Sequence, residues 1–418
     1  MSRALAEKQQ VLNQPRKIRG QKTLAMGIVV FDHYYDVVKR VSSLAGQWPY
    51  QRPKTRLLCV GLVTLSILSM NVPQMAKFVT CERDLQCIFE TMTSLMLATM
   101  CLVKLYTCYI NRHKMKHLTD HLFVDWNALE TSEEYKIMTK YAKNSRLYSL
   151  GYSLYCFAAL CLFLSMSLIP PLLDVVLPLN KSRPILLTYP GYYFVDEKDY
   201  FFYIFLHAVV AWEIAMTGIV AHDCIFVTYV EHVCGTFAIV GFRFKRLFCN
   251  RDNQVKTQSI GNTYCKRVAF IVHAHQEALR YAQLLEDTFS VPFAMQILIV
   301  TIGMSITLLQ IMQQKDSSNI LETMRYAVYV IGELIHLFFL CFEGQKLIDH
   351  SLQIRDKIYN SCWYKVSTKS QKLIILIMIK SLRLSFLSAG KIYIFSLESF
   401  TTVLQTSVSY CTVLASFQ

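Results

Sequence analysis

Residues 392–417 read IYIFSLESFTTVLQTSVSYCTVLASF, a run of 26 residues in which Glu398 is the single charged side chain. At about 1.5 Å rise per residue, a helix of this length crosses the hydrocarbon core of a bilayer. The run is not uniformly apolar. Glu398, Thr402, Gln405, Ser409, Thr412 and Ser416 recur in steps of three and four, which puts them on one helical face. Phe400, Leu404, Val408, Cys411 and Ala415 line the opposite side. Hydrocarbon satisfies no polar group, so the stripe must meet other helices or water. Two readings follow. Small hydroxyl residues are common where membrane helices pack closely. Alternatively the stripe lines an aqueous pore, which requires several copies around an axis, because one stripe cannot enclose a channel.

The rest of the composition agrees with a membrane protein. Of 418 residues, 53% are hydrophobic and 17% charged, against about 25% charge in soluble domains. The net charge of +14 is better explained by the positive-inside rule than by a nucleic-acid partner. The 14 cysteines are scattered, several in apolar runs, and show no CxxC pair or zinc spacing. No metal or cofactor is expected, and no enzyme chemistry.

Working back from the last segment, the apolar runs 57–79, 85–110, 147–170, 201–231, 290–312 and 325–344 make seven crossings in all. A short amphipathic piece is expected around Met26 to Val41. The stretches assigned to the side of the N-terminus hold 33 Lys and Arg, and those assigned to the other side hold 6. This predicts an intracellular N-terminus and an extracellular C-terminus, opposite to a G-protein-coupled receptor. The sequon at Asn180, with Lys181 and Ser182, falls in a loop assigned outside. That loop, rich in proline and tyrosine, reads as an ordered cap. The pattern in 264–289 predicts a helix that continues into the fifth crossing, and 345–372 looks similar. The expected fold is therefore all-α, with seven transmembrane helices. Its parts are a cytoplasmic N-terminal region (1–56), six crossings with their inner loops (57–344), a cytoplasmic helical anchor (345–391) and the last crossing (392–418).

Ionisable groups within the crossings carry a functional hypothesis by default. Lys104, Glu343 and Lys391 lie near segment ends, where snorkelling accounts for them. His222 and Asp223 are neighbours that project in different directions, which argues against a metal or proton-relay site. A pocket for a small apolar ligand needs aromatic and aliphatic walls with few polar groups. Candidates are Phe89, Met92 and Thr93 on the second crossing; Tyr148, Gly151 and Tyr155 on the third; Trp212 and Met216 on the fourth; and Tyr326 and Tyr329 on the sixth. For any one of them ordinary helix packing is the better explanation, and only together do they favour a cavity.

The C-terminal third carries a more specific signal. Phe342-Glu343-Gly344-Gln345-Lys346-Leu347-Ile348, Ile358-Tyr359-Asn360, Trp363-Tyr364, Gln371-Lys372, Ala389-Gly390-Lys391, Ser409-Tyr410 and Val413-Leu414 resemble the insect odorant receptor family in order and spacing. Gln283-Leu284-Leu285-Glu286-Asp287 is similar too. The resemblance implies a ligand-gated, non-selective cation channel at the plasma membrane of an olfactory sensory neuron dendrite. In such a channel four subunits surround a pore lined by the last helix, here through Gln405, Ser409 and Thr412. Val413 and Phe417 take the family's apolar gate positions, with Phe417 departing from the usual leucine. The implied partners are a shared odorant receptor co-receptor, in a heterotetramer, and a volatile ligand held among crossings two, three, four and six. The stretch 232–289 is shorter than in the co-receptor, which implies a tuning subunit. A gustatory receptor channel is the nearest alternative. A metabotropic seven-helix receptor is disfavoured by the inside N-terminus, and an inverted-repeat transporter by the lack of internal repeats.

Overall fold

The computed structural model describes residues 33–81, 84–178, 183–249, 259–313, 320–365 and 368–416. The predicted sequon at Asn180, the gate residue Phe417 and residues 26–32 of the amphipathic piece lie outside them. The chain is helical almost throughout. Its elements are α1 (Asp36–Leu44), α2 (Pro53–Thr80), α3 (Leu85–Ile110), α4 (Arg112–Asn127), α5 (Ser132–Ser165), α6 (Ile169–Val176), α7 (Phe201–Cys249), α8 (Ser259–Gln313), α9 (Ile320–Tyr359), α10 (Thr368–Lys380) and α11 (Leu397–Ser416). Two short strands, β1 (Ser388–Ala389) and β2 (Tyr393–Ile394), pair antiparallel between α10 and α11.

Local sequence sets several boundaries. Pro53 opens α2 at a position where its missing N–H is no loss. Asp84 caps α3 by accepting from the Gln86 N–H at 3.1 Å, and Thr131 caps α5 through the Glu134 N–H at 3.3 Å. Ser396 caps α11, accepting from the Ser399 N–H at 3.1 Å. Beyond α5 a 3-10 turn, Met166–Leu168, leads into Pro170-Pro171 at the head of α6.

Six helical stretches are long and apolar enough to cross a membrane: α2, α3, α5 continuing through α6, α7, α8 and α9. The 20-residue α11 is the seventh crossing, set apart from the six by its Ser, Thr and Gln content. The crossings extend beyond the apolar runs that announce them. α8 is one helix of 55 residues, as the pattern in 264–289 predicts, and α9 runs unbroken past 344 to Tyr359. These extensions, with α4, α10 and the start of α5, form an anchor at one end of the bundle. The opposite end carries Cys81 and Asp84, residues 177–178 and 183–200, the C-terminal ends of α8 and α11 and the start of α9; it is the loop face. Cys81, at the end of α2, is disulfide-bonded to Cys87 on α3 at this face, a pairing the sequence reading missed.

The largest core lies between α7, α8 and α9, where Phe226, Phe289 and Phe293 pack within 4.8 to 5.7 Å of one another. A second core (Val63, Ile67, Leu105, Leu164, Trp212) joins α2, α3, α5 and α7. A third, around Tyr35, Trp126 and Met138, seats α1 on the anchor. Outward-facing leucines at 57, 58, 62, 65 and 68 of α2 are exposed, as suits a surface against lipid.

The hairpin holds α11 to the bundle. Gly390 and Lys391 both have positive φ, +61° and +63°, which ends any helical path here and delays α11 to Leu397. The Gly390 N–H donates to the Ser290 carbonyl at 3.0 Å, and the Ser388 hydroxyl donates to Glu286 at 2.6 Å. Phe395 packs on Phe293 at 4.9 Å, and its N–H donates to the Leu387 carbonyl at 2.9 Å. It passes so close to Gly344 of α9 that an added Cβ there would lie 2.6 Å from the Phe395 Cβ. Glu286, Gly344 and Gly390, all quoted above for the family resemblance, thus meet at one junction.

Candidate ligand pocket and pore helix

The predicted pocket residues do not form a single group. Tyr155, Trp212, Tyr326 and Tyr329 fall in the half of the bundle nearer the loop face. Tyr326 donates to Glu90 of α3 at 3.0 Å, with the Arg325 guanidinium 5.5 Å from its ring centre. Arg325 itself donates to the Leu187 carbonyl of the outer loop at 2.9 Å. The Tyr329 hydroxyl bonds Glu333, one turn along α9. Glu333 lies within electrostatic range of Tyr155, Tyr189 and Cys101. Tyr189, from the loop, packs on Trp212 at 4.7 Å. Burial keeps its phenol well above the usual range, so it stays a neutral hydroxyl.

Gly303 and Gly332 border the same region: a Cβ on either would lie 3.6 Å from the Tyr329 hydroxyl and 4.0 Å from the Tyr155 hydroxyl respectively. Met216 packs where the two main cores meet. Phe89, Met92 and Thr93 are half-buried on α3, and the Thr93 hydroxyl is satisfied by the Phe89 carbonyl at 3.0 Å. Gly151 and Tyr148 stand apart. Gly151 is exposed, with no atom within 4 Å of an added Cβ. Tyr148 lies toward the anchor, edge-on to Phe342 at 6.4 Å. A small recess of about 10 Å³ also lies beneath the loop, lined by Leu187, Thr188, Tyr189, Tyr193, Phe201 and Phe205 among others. Tyr189 and Glu333 are the pocket members that sequence reasoning did not select.

Deeper in the bundle Lys104 corrects an expectation. It does not snorkel; its side chain is wholly buried. Its ammonium donates to both oxygens of Asp223, at 2.7 and 2.8 Å, and reaches His336 Nε2 at 3.1 Å. Tyr152 donates to Asp223 at 2.8 Å and lies 2.6 Å from His336 Nδ1. Gln296 Nε2 lies 2.6 Å from His336 Nε2, and His222 Nδ1 lies 2.9 Å from Asp223. With the His336 proton on Nδ1, donated to the tyrosine oxygen, every one of these contacts has a donor and an acceptor. The network ties α3, α5, α7, α8 and α9 together. A buried lysine and aspartate at this depth persist because each supplies the other's counter-charge. Adjacent His222 and Asp223 therefore do share partners, and the arrangement is an ion pair rather than a metal site; no metal-ligating cluster occurs among the described residues.

Glu343 is a second correction. It too is wholly buried, not at the membrane interface. Lys346 bridges it, at 3.2 Å, to the equally buried Glu231, and stands 4.5 Å above the Tyr148 ring. Both corrections have one physical source. Helical position fixes which way a side chain points, and both residues lie on inward faces.

α11, the candidate pore helix, presents its polar stripe on the face that the spacing gives. α11 lies against α8 and α9. Val403, Ser407 and Cys411 are buried, with Phe400 and Leu404 packed on the core. Cys411 Sγ lies 3.6 Å from Met312 Sδ near the outer end of α8. Glu398, Thr402, Gln405, Ser409, Thr412 and Ser416 are all exposed, pointing away from the chain's own bundle. Val408, expected on the packed side, is 54% exposed and borders the stripe. Val413 is 49% exposed at the stripe's other edge. The hydroxyls of Thr402, Ser409, Thr412 and Ser416 each bond a carbonyl three or four residues back, which leaves the stripe wettable without unmet donors.

Comparison with known proteins follows the same lines. Odorant receptor 22c of Drosophila melanogaster is 27% identical over 244 residues, 58% of this chain and 58% of that receptor, so the chain matches less than two thirds of its length. Odorant receptor Or2 of Anopheles gambiae is 21% identical over 377 residues, covering 88% of this chain and 94% of that protein. The fold is shared with the insect olfactory receptor OR5 from Machilis hrabei, solved in complex with eugenol. The TM-score is 0.74 at 14% identity, over 94% of this chain and all of that one. The family described as 7tm Odorant receptor matches residues 84–408. On that match, which takes in α3 to α10 and most of α11, this chain belongs to the seven-transmembrane odorant receptor family.

Proposed function

We propose that the chain is a tuning subunit of an odorant-gated, non-selective cation channel, with four subunits around a pore lined by α11. The observation that carries this reading is the polar stripe of α11. It faces away from its own bundle, where only water or a neighbouring subunit can meet it. Val413, at the stripe's outer end, forms the dry neck of the closed state together with Phe417. The partner subunit is an odorant receptor co-receptor, a type of protein found among the chain's relatives. The nine residues between α7 and α8 are a short link, as suits a tuning subunit. The ligand is a small volatile, as eugenol is for OR5, and it gates by binding the open state more tightly than the closed one. The site of action is the dendrite of an olfactory sensory neuron.

The loop face is taken as extracellular and the anchor as cytoplasmic. The charge count supports this, and so does the Cys81–Cys87 bridge, since disulfides persist on the oxidising side of a membrane. Residues 1–56 and 345–391 then lie inside, 57–344 hold the six crossings and the pocket, and 392–418 end outside.

One experiment tests both pore and orientation. Ser409→Cys, Thr412→Cys and Val413→Cys, each co-expressed with the co-receptor, are exposed to a membrane-impermeant methanethiosulfonate reagent from either side. Modification from outside is expected to reduce ligand-evoked current at Thr412 and Val413 by more than about half, and wild type is expected to be unaffected. Modification from the inside alone would reverse the orientation. No effect at any of the three would remove α11 from the pore.

A further inference from the structure

The pocket contains a carboxyl group that the chain itself leaves half-satisfied. Glu333 accepts from Tyr329, but its Oε2 is buried with no hydrogen-bond partner among the described residues. The nearest cation, Lys104, cannot serve it. All three of its ammonium protons are directed elsewhere, two to Asp223 and one to His336. Glu90 already accepts from Tyr326 and Gln86. Lys104 and Asp223 cancel each other's charge, and Glu333 forms no ion pair among the described residues.

A buried acceptor without a donor is unfavourable, more so if it is charged. A donor on a ligand removes that penalty. Tyr329 bonds Glu333, Tyr155 and Tyr189 lie within its electrostatic range, and Tyr189 packs on Trp212 at 4.7 Å. Tyrosine and tryptophan rings attract cations to their faces. A carboxyl with an unmet oxygen among such side chains suits an ammonium group better than a hydroxyl.

We propose that this pocket is selective for small organic amines, with the ammonium paired to Glu333 and the carbon skeleton held by the surrounding tyrosines and Trp212. Amine and carboxyl form the pair whichever of them brings the proton, so no further reactant is needed. The gating consequence rests on the channel reading above; the binding does not.

The test uses the complex of the full chain with the co-receptor and three probes of one skeleton: 2-phenylethylamine, 2-phenylethanol and ethylbenzene. Two readouts are taken, ligand-induced thermal stabilisation of the purified complex and current in intact cells. In wild type the amine is expected to act at about tenfold lower concentration than the alcohol, the factor a charge-assisted hydrogen bond supplies. Glu333→Gln, which can still accept from Tyr329, is expected to erase that preference. Glu333→Asp is expected to keep it. Equal potency of amine and alcohol in wild type, or an amine preference that survives Glu333→Gln, overturns the proposal. Glu333-dependent stabilisation by the amine without any current upholds the site and refutes the channel reading. Current evoked by ethylbenzene with no amine preference in either readout does the reverse.

Discussion

Lys104→Met is expected to destabilise the protein by about 3–5 kcal/mol, because it strands Asp223 in the bundle interior without its cation. The remaining contacts, from Tyr152 at 2.8 Å and His222 at 2.9 Å, soften the loss but bring no full counter-charge. Removing both charges is a different matter. In Lys104→Met with Asp223→Leu, no ion is left unpaired, and the expected change falls to within about 1.5 kcal/mol of wild type. The measurement is thermal melting of the detergent-solubilised receptor, with surface delivery followed in parallel. Wild-type stability in Lys104→Met, or a double variant as unstable as the single, would show that the two side chains are not paired. A single variant alone cannot separate charge loss from packing loss, which is why the cycle matters.

Gly344→Leu is expected to be the most disruptive single substitution in the anchor. Even a Cβ at Gly344 would sit 2.6 Å from the Cβ of Phe395 and 3.0 Å from its carbonyl carbon. Phe395 has no room to yield. Its N–H bonds Leu387, and its ring is pressed on Phe293. Gly344→Ala is expected to cost about 1–3 kcal/mol, as overpacking does, and Gly344→Leu to abolish folded receptor at the cell surface. Gly151→Ala is the control. It is a helical glycine whose added Cβ meets nothing within 4 Å, so it is expected to be neutral or stabilising by up to about 1 kcal/mol. If Gly344→Ala melts with wild type, the hairpin does not thread past α9 as described.

Much of this could be read from the residues alone. The stripe on α11 was legible because a period of 3.6 and an absence of charge are local properties, and the exposed face found in the structure is the one the spacing gives. The continuation of α8 through 264–289 was legible for the same reason. What was not legible depends on residues far apart. Lys104 and His336 are 232 positions apart, and nothing local says that they meet. The inward face of Lys104 was in fact recorded, since Cys101, Leu105 and Cys108 at the same spacing are buried beside it. Nearness to a segment end was weighed over direction, and direction won. The hairpin was hidden because Lys391, a residue with no preference for positive φ, completes the turn that Gly390 begins. Glu333 is an ionisable group inside a crossing, but its unmet oxygen shows only when its neighbours are in place.

The attachment of α11 has a mechanical consequence. Its first turn is pinned through Phe395 and the strand pair, while its far end meets its own bundle only along one side. The helix is therefore a pivoted rod. Val413 stands 16 residues beyond Leu397, about 24 Å along the axis, so a rotation of roughly 5° at the base sweeps it sideways by about 2 Å. On the channel reading proposed above, that small swing, comparable with the radius of a water molecule, is enough to wet or dry a narrow throat without any helix unwinding.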